Sequence, residues 1–145
     1  MREIKFRAWD AVMDFMVDVD YYKIDFKGQV FFDNDDKSLY NQTDKLILMQ
    51  YTGLKDKNGV EIYEGDIGVV TEIEEDSCLG IEFSYKGVVS YANSLKLSQY
   101  VSQYPSSFCL ISKSFYREQA LLFNDRWDYE VIGNIYENPE LLRED

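Results

Sequence analysis

The chain contains no histidine. That removes Ser-His-Asp and Cys-His activation of a nucleophile, imidazole acid–base catalysis and every histidine-containing metal site. Cysteine is nearly as scarce, with only Cys78 and Cys109. They lie too far apart in sequence for a zinc-ribbon pair, and no further thiol exists to complete four ligands. Both read as buried free thiols, while the sequence leaves a disulfide between them open. No run approaches 18 apolar residues, so nothing reads as a membrane span. Residues 1–10 are charged and alternating, without the apolar centre of a secretory leader. Phosphate-cradling GxGxxG and Walker A loops are absent, as is a GxSxG nucleophile elbow.

Basic residues are also few. Lys and Arg total 15 against 27 Asp and Glu, for a net charge of −12. They are scattered too, with Arg2, Lys5 and Arg7, or Lys55 and Lys57, the nearest approach to a cluster. Gripping a phosphate backbone needs neighbouring cations that release counterions, so nucleic acid and anionic membranes are disfavoured partners. Carboxylates are plentiful instead. Asp33-Asn34-Asp35-Asp36-Lys37 resembles a calcium loop superficially, but Lys37 occupies a ligand position and no glycine follows. Glu61, Glu64 and Asp66 flank one turn, where solubility and turn hydrogen bonding are the expected roles. No catalytic, cofactor-binding or metal-ligating residue is assigned, and no cofactor is expected.

What the chain has is aromatic and apolar surface. Hydrophobic residues make up 46% of its 145 residues and aromatics 16%, with 12 Tyr and 9 Phe but 2 Pro. That is enough apolar surface for one ordinary core, and Tyr and Phe favour the half-buried face of a sheet. No linker or repeat breaks the chain, so residues 1–145 are read as one domain.

Periodicity supports a mainly β fold, a barrel-like meander of antiparallel hairpins with one or two short helices in the C-terminal half. Strands are expected at 3–9, 11–19, 21–26, 29–32, 45–51, 60–63, 67–73, 79–85, 88–92, 108–111 and 127–136. Residues 34–44 read as a polar loop and 72–76 as an acidic hairpin tip. Lys86-Gly87 reads as a turn, and Asn58-Gly59 signals a type I′ hairpin. Leu97, Tyr100, Val101 and Tyr104 stand at helical spacing, with Asn93 or Ser94 as N-cap and Pro105 as terminator. Ser114 to Phe123 carries good helix formers in Arg117, Glu118, Gln119, Ala120 and Leu121. Asn138-Pro139-Glu140 has the order of a helix start, predicting one turn at the tail. Tyr51, Thr52 and Gly53 read as a strand end followed by a glycine of special φ.

Three segments carry a family resemblance: Met1 to Asp10 (MREIKFRAWD), Met49 to Ile67 (MQYTGLKDKNGVEIYEGDI) and Glu130 to Leu142 (EVIGNIYENPELL). Together they resemble the YopX family, small proteins found mainly in phages and prophages of bacteria. The resemblance implies a β-barrel-like domain with minor helices, without an assigned activity, in the cytoplasm of a bacterial host cell. It carries no catalytic residues over. The family pattern has a β-branched residue after Gly-Asp-Ile, where this chain has Gly68. Residues 68–129 match nothing in it and are the place to look for a role particular to this member.

The expectation is a non-enzymatic accessory protein acting through protein–protein contact, since exposed Tyr, Phe and Trp make effective anchors. Its partner is a host or phage protein of unknown identity, with self-association as a companion because β edges must be covered. Two alternatives come from other classes. Gly65-Asp66-Ile67 with Gly87-Val88-Val89 resembles an SH3-like barrel, which implies a nucleic-acid-binding module. The −12 charge suggests an acidic DNA mimic that blocks a host DNA-binding protein.

Overall fold

The computed structural model describes residues 3–33, 39–73, 82–91, 108–114, 117–122 and 128–143. The fold is mainly β and antiparallel, with 3-10 turns in place of α-helices among these residues. The chain divides into two compact units, 1–51 and 52–145. The division falls inside one ten-residue strand, β6 (Leu46–Lys55), so no linker composition marks it.

In the first unit, β1 (Phe6–Asp10) pairs with β2 (Phe15–Val17) and with the first half of β6, from Phe6 opposite Gln50 to Asp10 opposite Leu46. The strand expected over 11–19 is cut short by Asp10. Its Oδ1 accepts the backbone N–H groups of Val12 and Met13, both at 2.8 Å, and Asp14 takes a φ of 56°. A short acid that bonds its neighbours' amides ends a strand in this way. A 3-10 turn (Val19–Tyr21) leads to a second sheet, β3 (Tyr22–Ile24), β4 (Val30–Asp33) and β5 (Leu39–Asn41). β5 lies within the expected 34–44 loop. It forms by pairing with β4, Phe32 opposite Tyr40, and its exposed side chains leave no burial pattern to read. Ala8, Val17, Val30 and Leu46 make the core of this unit, with Tyr22 and Leu48 against it.

In the second unit, β7 (Glu61–Tyr63) follows β6, and Thr52 Oγ1 donates to the Ile62 carbonyl at 2.9 Å. A five-stranded sheet then runs β11-β10-β9-β8-β12, built from β8 (Asp66–Ile73), β9 (Glu82–Tyr91), β10 (Phe108–Ser114), β11 (Arg117–Leu122) and β12 (Asp128–Asn134). Its core is Ile62, Val70, Val89, Leu110 and Tyr129, with Val131 packed against it.

Two expectations fail here. Lys86 and Gly87 do not turn; they lie within β9, opposite Val69 and Gly68. The helix expected at Ser114 to Phe123 is replaced by the end of β10 and by β11, paired from Ser114 opposite Arg117 to Cys109 opposite Leu122. Helix propensity amounts to tenths of a kcal/mol per residue, and a full antiparallel ladder with a neighbouring strand overrides it. The helix expected around Leu97 to Tyr104 and the acidic tip beyond Ile73 lie outside the described residues. The tail forms its expected turn, a 3-10 turn at Pro139–Leu142 with proline at its start.

Gly68 has a packing reason. A Cβ built there would fall on Oη, Cζ and Cε2 of Tyr129, whose ring covers the glycine. β8 continues through it regularly, opposite Val131, and the irregularity sits across the ladder as a bulge between Val131 and Gly133. Gly68→Val is therefore expected to cost roughly 1–3 kcal/mol by overpacking. In a double-mutant cycle of chemical denaturation, Gly68→Val should be markedly less harmful when Tyr129→Ala is also present. Strictly additive costs would show that the ring does not enforce the glycine.

Candidate functional site

The middle segment of the family wording folds into a turn organised by one buried carboxylate. Asp56 is 7% exposed. Its N–H donates to the Val60 carbonyl at 2.8 Å, and its carbonyl accepts the Gly59 N–H at 2.9 Å. Asp56 Oδ1 accepts from the N–H of Asn58 at 2.8 Å and of Val60 at 2.9 Å. Gly59 takes a φ of 83° while Asn58 stays at negative φ. This is a turn with one left-handed glycine, not the type I′ turn that Asn-Gly suggests, because the aspartate's two amide bonds fix the preceding residues.

The other carboxylate oxygen reaches across the fold. Asp56 Oδ2 accepts the Val131 N–H at 3.0 Å, and the Lys57 N–H donates to the Tyr129 carbonyl at 2.9 Å. Between those two bonds stands Glu130, whose Oε2 meets Lys57 Nζ at 2.5 Å. The turn thus grips the backbone of β12 at two points two residues apart. Burial alone would raise the Asp56 pKa. Hydrogen bonds from Val131, Val60 and Asn58, with the Lys57 charge, outweigh it and hold the carboxyl below its ordinary range.

The remaining acids of this region are likewise engaged by the scaffold. Asp66 is fully buried and its Oδ2 accepts the Tyr63 N–H at 2.7 Å, while Tyr63 donates its hydroxyl to Glu61 Oε2 at 2.8 Å. Glu64 is half-buried and helps to raise the pKa of Tyr136, after burial as the larger cause. Gly65 donates to the Val89 carbonyl and accepts from the Ile135 N–H, tying this turn to β9 and to the end of β12. Gly53 takes a φ of 86°, and Thr52 Oγ1 also accepts the Leu54 N–H at 3.2 Å.

The C-terminal segment repeats the device with an amide. Asn134 Oδ1 accepts from the N–H of Tyr136 at 3.0 Å and of Glu137 at 2.9 Å, and its Nδ2 donates to Glu137 Oε2. A Cβ on Gly133 would lie 2.6 Å from Asn138 Oδ1.

Cys109 is a buried free thiol whose pKa is raised by burial, with Sγ 3.6 Å from the Ser90 carbonyl. Cys78 lies outside the described residues, as do residues 34–37 of the calcium-like stretch. Asp33 itself is in β4 and ion-paired with Lys23. Among the described residues, no three Cys, Asp or Glu side chains converge as metal ligands. The sequence reading passed over the aspartate that opens each Asp-x-x-Gly tetrad. That spacing occurs at Asp25–Gly28 and Asp56–Gly59, and it was the available signal.

The fold is of the mainly antiparallel β class, and the comparisons place the chain in a family. The family model described as YopX protein matches residues 5–143, so the chain belongs to the YopX family. Two solved structures are similar over 99% of this chain and 100% of their own. A protein of Enterococcus faecalis shares 26% identity at a TM-score of 0.50. The yopX protein of Bacillus subtilis shares 22% identity at a TM-score of 0.56, a likeness of fold. No curated protein matches the sequence.

Because the folded-state pKa of Asp56 is depressed, its contribution is full above the unfolded value near 3.8 and is lost as pH falls through the folded value. Asp56→Asn turns an N–H donor towards the Val131 N–H or leaves that group unpaired, and should cost at least about 2 kcal/mol at neutral pH. Denaturant titrations between neutral pH and roughly pH 2 should show the variant losing less stability on acidification than the parent. Equal acid sensitivity of the two proteins would remove Asp56 from this role.

Proposed function

We propose that this chain is a non-enzymatic accessory protein of phages or prophages that acts in the bacterial cytosol by contact with another protein. The observation that carries the reading is where apolar side chains meet solvent. Among the described residues, eleven of the fifteen exposed large hydrophobics fall between Ile4 and Ile47. Single exposed apolar residues are ordinary, but a concentration of them in one small unit favours an interaction surface.

Two of the most exposed are also held still. Val12 is 67% and Met13 68% exposed, and the backbone N–H of each is bonded to Asp10 Oδ1. Residues fixed before binding lose less conformational freedom on association, so a rigid apolar tip is an efficient anchor. The net charge of −12 weighs against nucleic acid as the partner. The acids of the middle segment support the same reading, since Asp56, Asp66 and Glu61 are occupied by backbone amides and a tyrosine hydroxyl.

A photo-crosslinking amino acid placed at Val12 or Met13, in cells carrying the prophage, should yield covalent protein adducts. The same group at exposed Lys86 should not. Absence of adducts at both tip positions, or capture of nucleic acid in their place, would sink the reading.

A further inference from the structure

The molecule contains the Asp56 turn twice, and among the described residues only one copy holds a strand. At the β3–β4 hairpin, Asp25 donates its N–H to the Gln29 carbonyl and accepts the Gly28 N–H on its own carbonyl, each at 3.0 Å. Asp25 Oδ1 accepts from the N–H of Lys27 and of Gln29, both at 2.8 Å, and Gly28 takes a φ of 78°. Every one of these features matches Asp56, Asn58, Gly59 and Val60, bond for bond. The two tetrads, Asp25-Phe26-Lys27-Gly28 and Asp56-Lys57-Asn58-Gly59, are the same device.

In the Asp56 copy, the groups that project from the turn are Oδ2 and the next residue's N–H, and they grip Val131 and Tyr129 of β12. In the Asp25 copy, the equivalent Oδ2 and Phe26 N–H make no hydrogen bond among the described residues. Phe26 stands where Lys57 stands, and its side chain is wholly in solvent at 112% relative exposure. A rigid turn therefore presents an acceptor, a donor and an uncovered aromatic ring together.

We infer that the Asp25 turn is a docking site for an extended strand of a partner protein. The strand offers the carbonyl of one residue to the Phe26 N–H and the N–H of the residue two further on to Asp25 Oδ2. The middle residue sets specificity. In β12 it is Glu130, matched to the Lys57 ammonium. Phe26 has no charge to offer and a bare ring to cover, so the middle residue of the docked strand is apolar. This inference rests on the protein-contact reading above and names the chemistry of the segment bound.

The probe is an acetylated, amidated peptide of residues 127–134 carrying Glu130→Leu, with the unaltered peptide as control. Binding to the full chain is followed by amide NMR. The Leu peptide should shift the Phe26 amide resonance at concentrations up to roughly millimolar, and should bind about tenfold more tightly than the Glu peptide. Phe26→Pro is the decisive variant. Proline is favoured at this turn position, so the hairpin survives, but the N–H is gone and the ring with it. It should weaken the Leu peptide at least about tenfold while leaving the melting temperature unchanged or raised. Phe26→Ala, which keeps the N–H, separates the ring's share from that of the hydrogen bond. No shift at Phe26, undiminished binding by Phe26→Pro, or equal affinity for both peptides overturns the proposal. A shift at Lys57 without one at Phe26 reports strand exchange into the occupied turn and overturns it too. Adducts at Val12 and Met13 are read at a different turn, so the broader contact reading stands or falls separately.

Discussion

The second unit depends on a single carboxylate with three backbone amides to satisfy. Asp56 bonds two of them within its own turn and the third on a strand 75 residues away. A buried carboxylate without partners would cost several kcal/mol, and the same group fully hydrogen-bonded defines one geometry. That condition sets the register of β12, because a slip by one residue would point a carbonyl, not the Val131 N–H, at Asp56 Oδ2. Around it the other turns share the logic. Asp66 holds the Tyr63 amide, Asn134 holds those of Tyr136 and Glu137, and Gly65 joins strands through its own peptide.

This accounts for the family wording in physical terms. Gly-Leu-Lys-Asp-Lys-Asn-Gly, Tyr-Glu-Gly-Asp-Ile and Ile-Gly-Asn-Ile-Tyr-Glu-Asn-Pro spell polar side chains that close backbone bonds at strand ends. Such residues resemble catalytic acids when seen as a string. In the fold they are consumed by the scaffold, while residues 1–51 carry exposed apolar turns whose backbones are fixed by Asp10 and Asp25. The same Asp-x-x-Gly chemistry thus serves in one place to hold the chain's own strand and in another meets no strand among the described residues.

Much of the strand pattern was legible because period-2 alternation is local. β1, β6, β8 and β12 lie within the expected stretches or overlap them closely. The failures have particular causes. Arg117 to Leu122 is composed like a helix and folds as a strand because β10 offers it a ladder. Lys86-Gly87 is composed like a turn and runs straight because β8 lies beside it. Leu39 to Asn41 has no buried face, so only its pairing with β4 makes it a strand. The candidate site was legible only as two aspartates at equal spacing from glycines, a signal without meaning until the hydrogen bonds are drawn.

By itself the sequence determined the class and which side-chain chemistries are missing. No histidine, two thiols, scattered cations and alternating apolar residues decide chemistry and periodicity without reference to any contact. The Asp25 and Asp56 turns are local as well, since each aspartate bonds amides within four residues of itself. Tertiary structure decided everything that needs two distant segments. It placed Tyr129 over Gly68 and put β12 in the grip of Asp56 while leaving Asp25 empty among the described residues. The reason is that these contacts join residues whose separation in the chain carries no periodic signal, so their energies exist only once the strands have met.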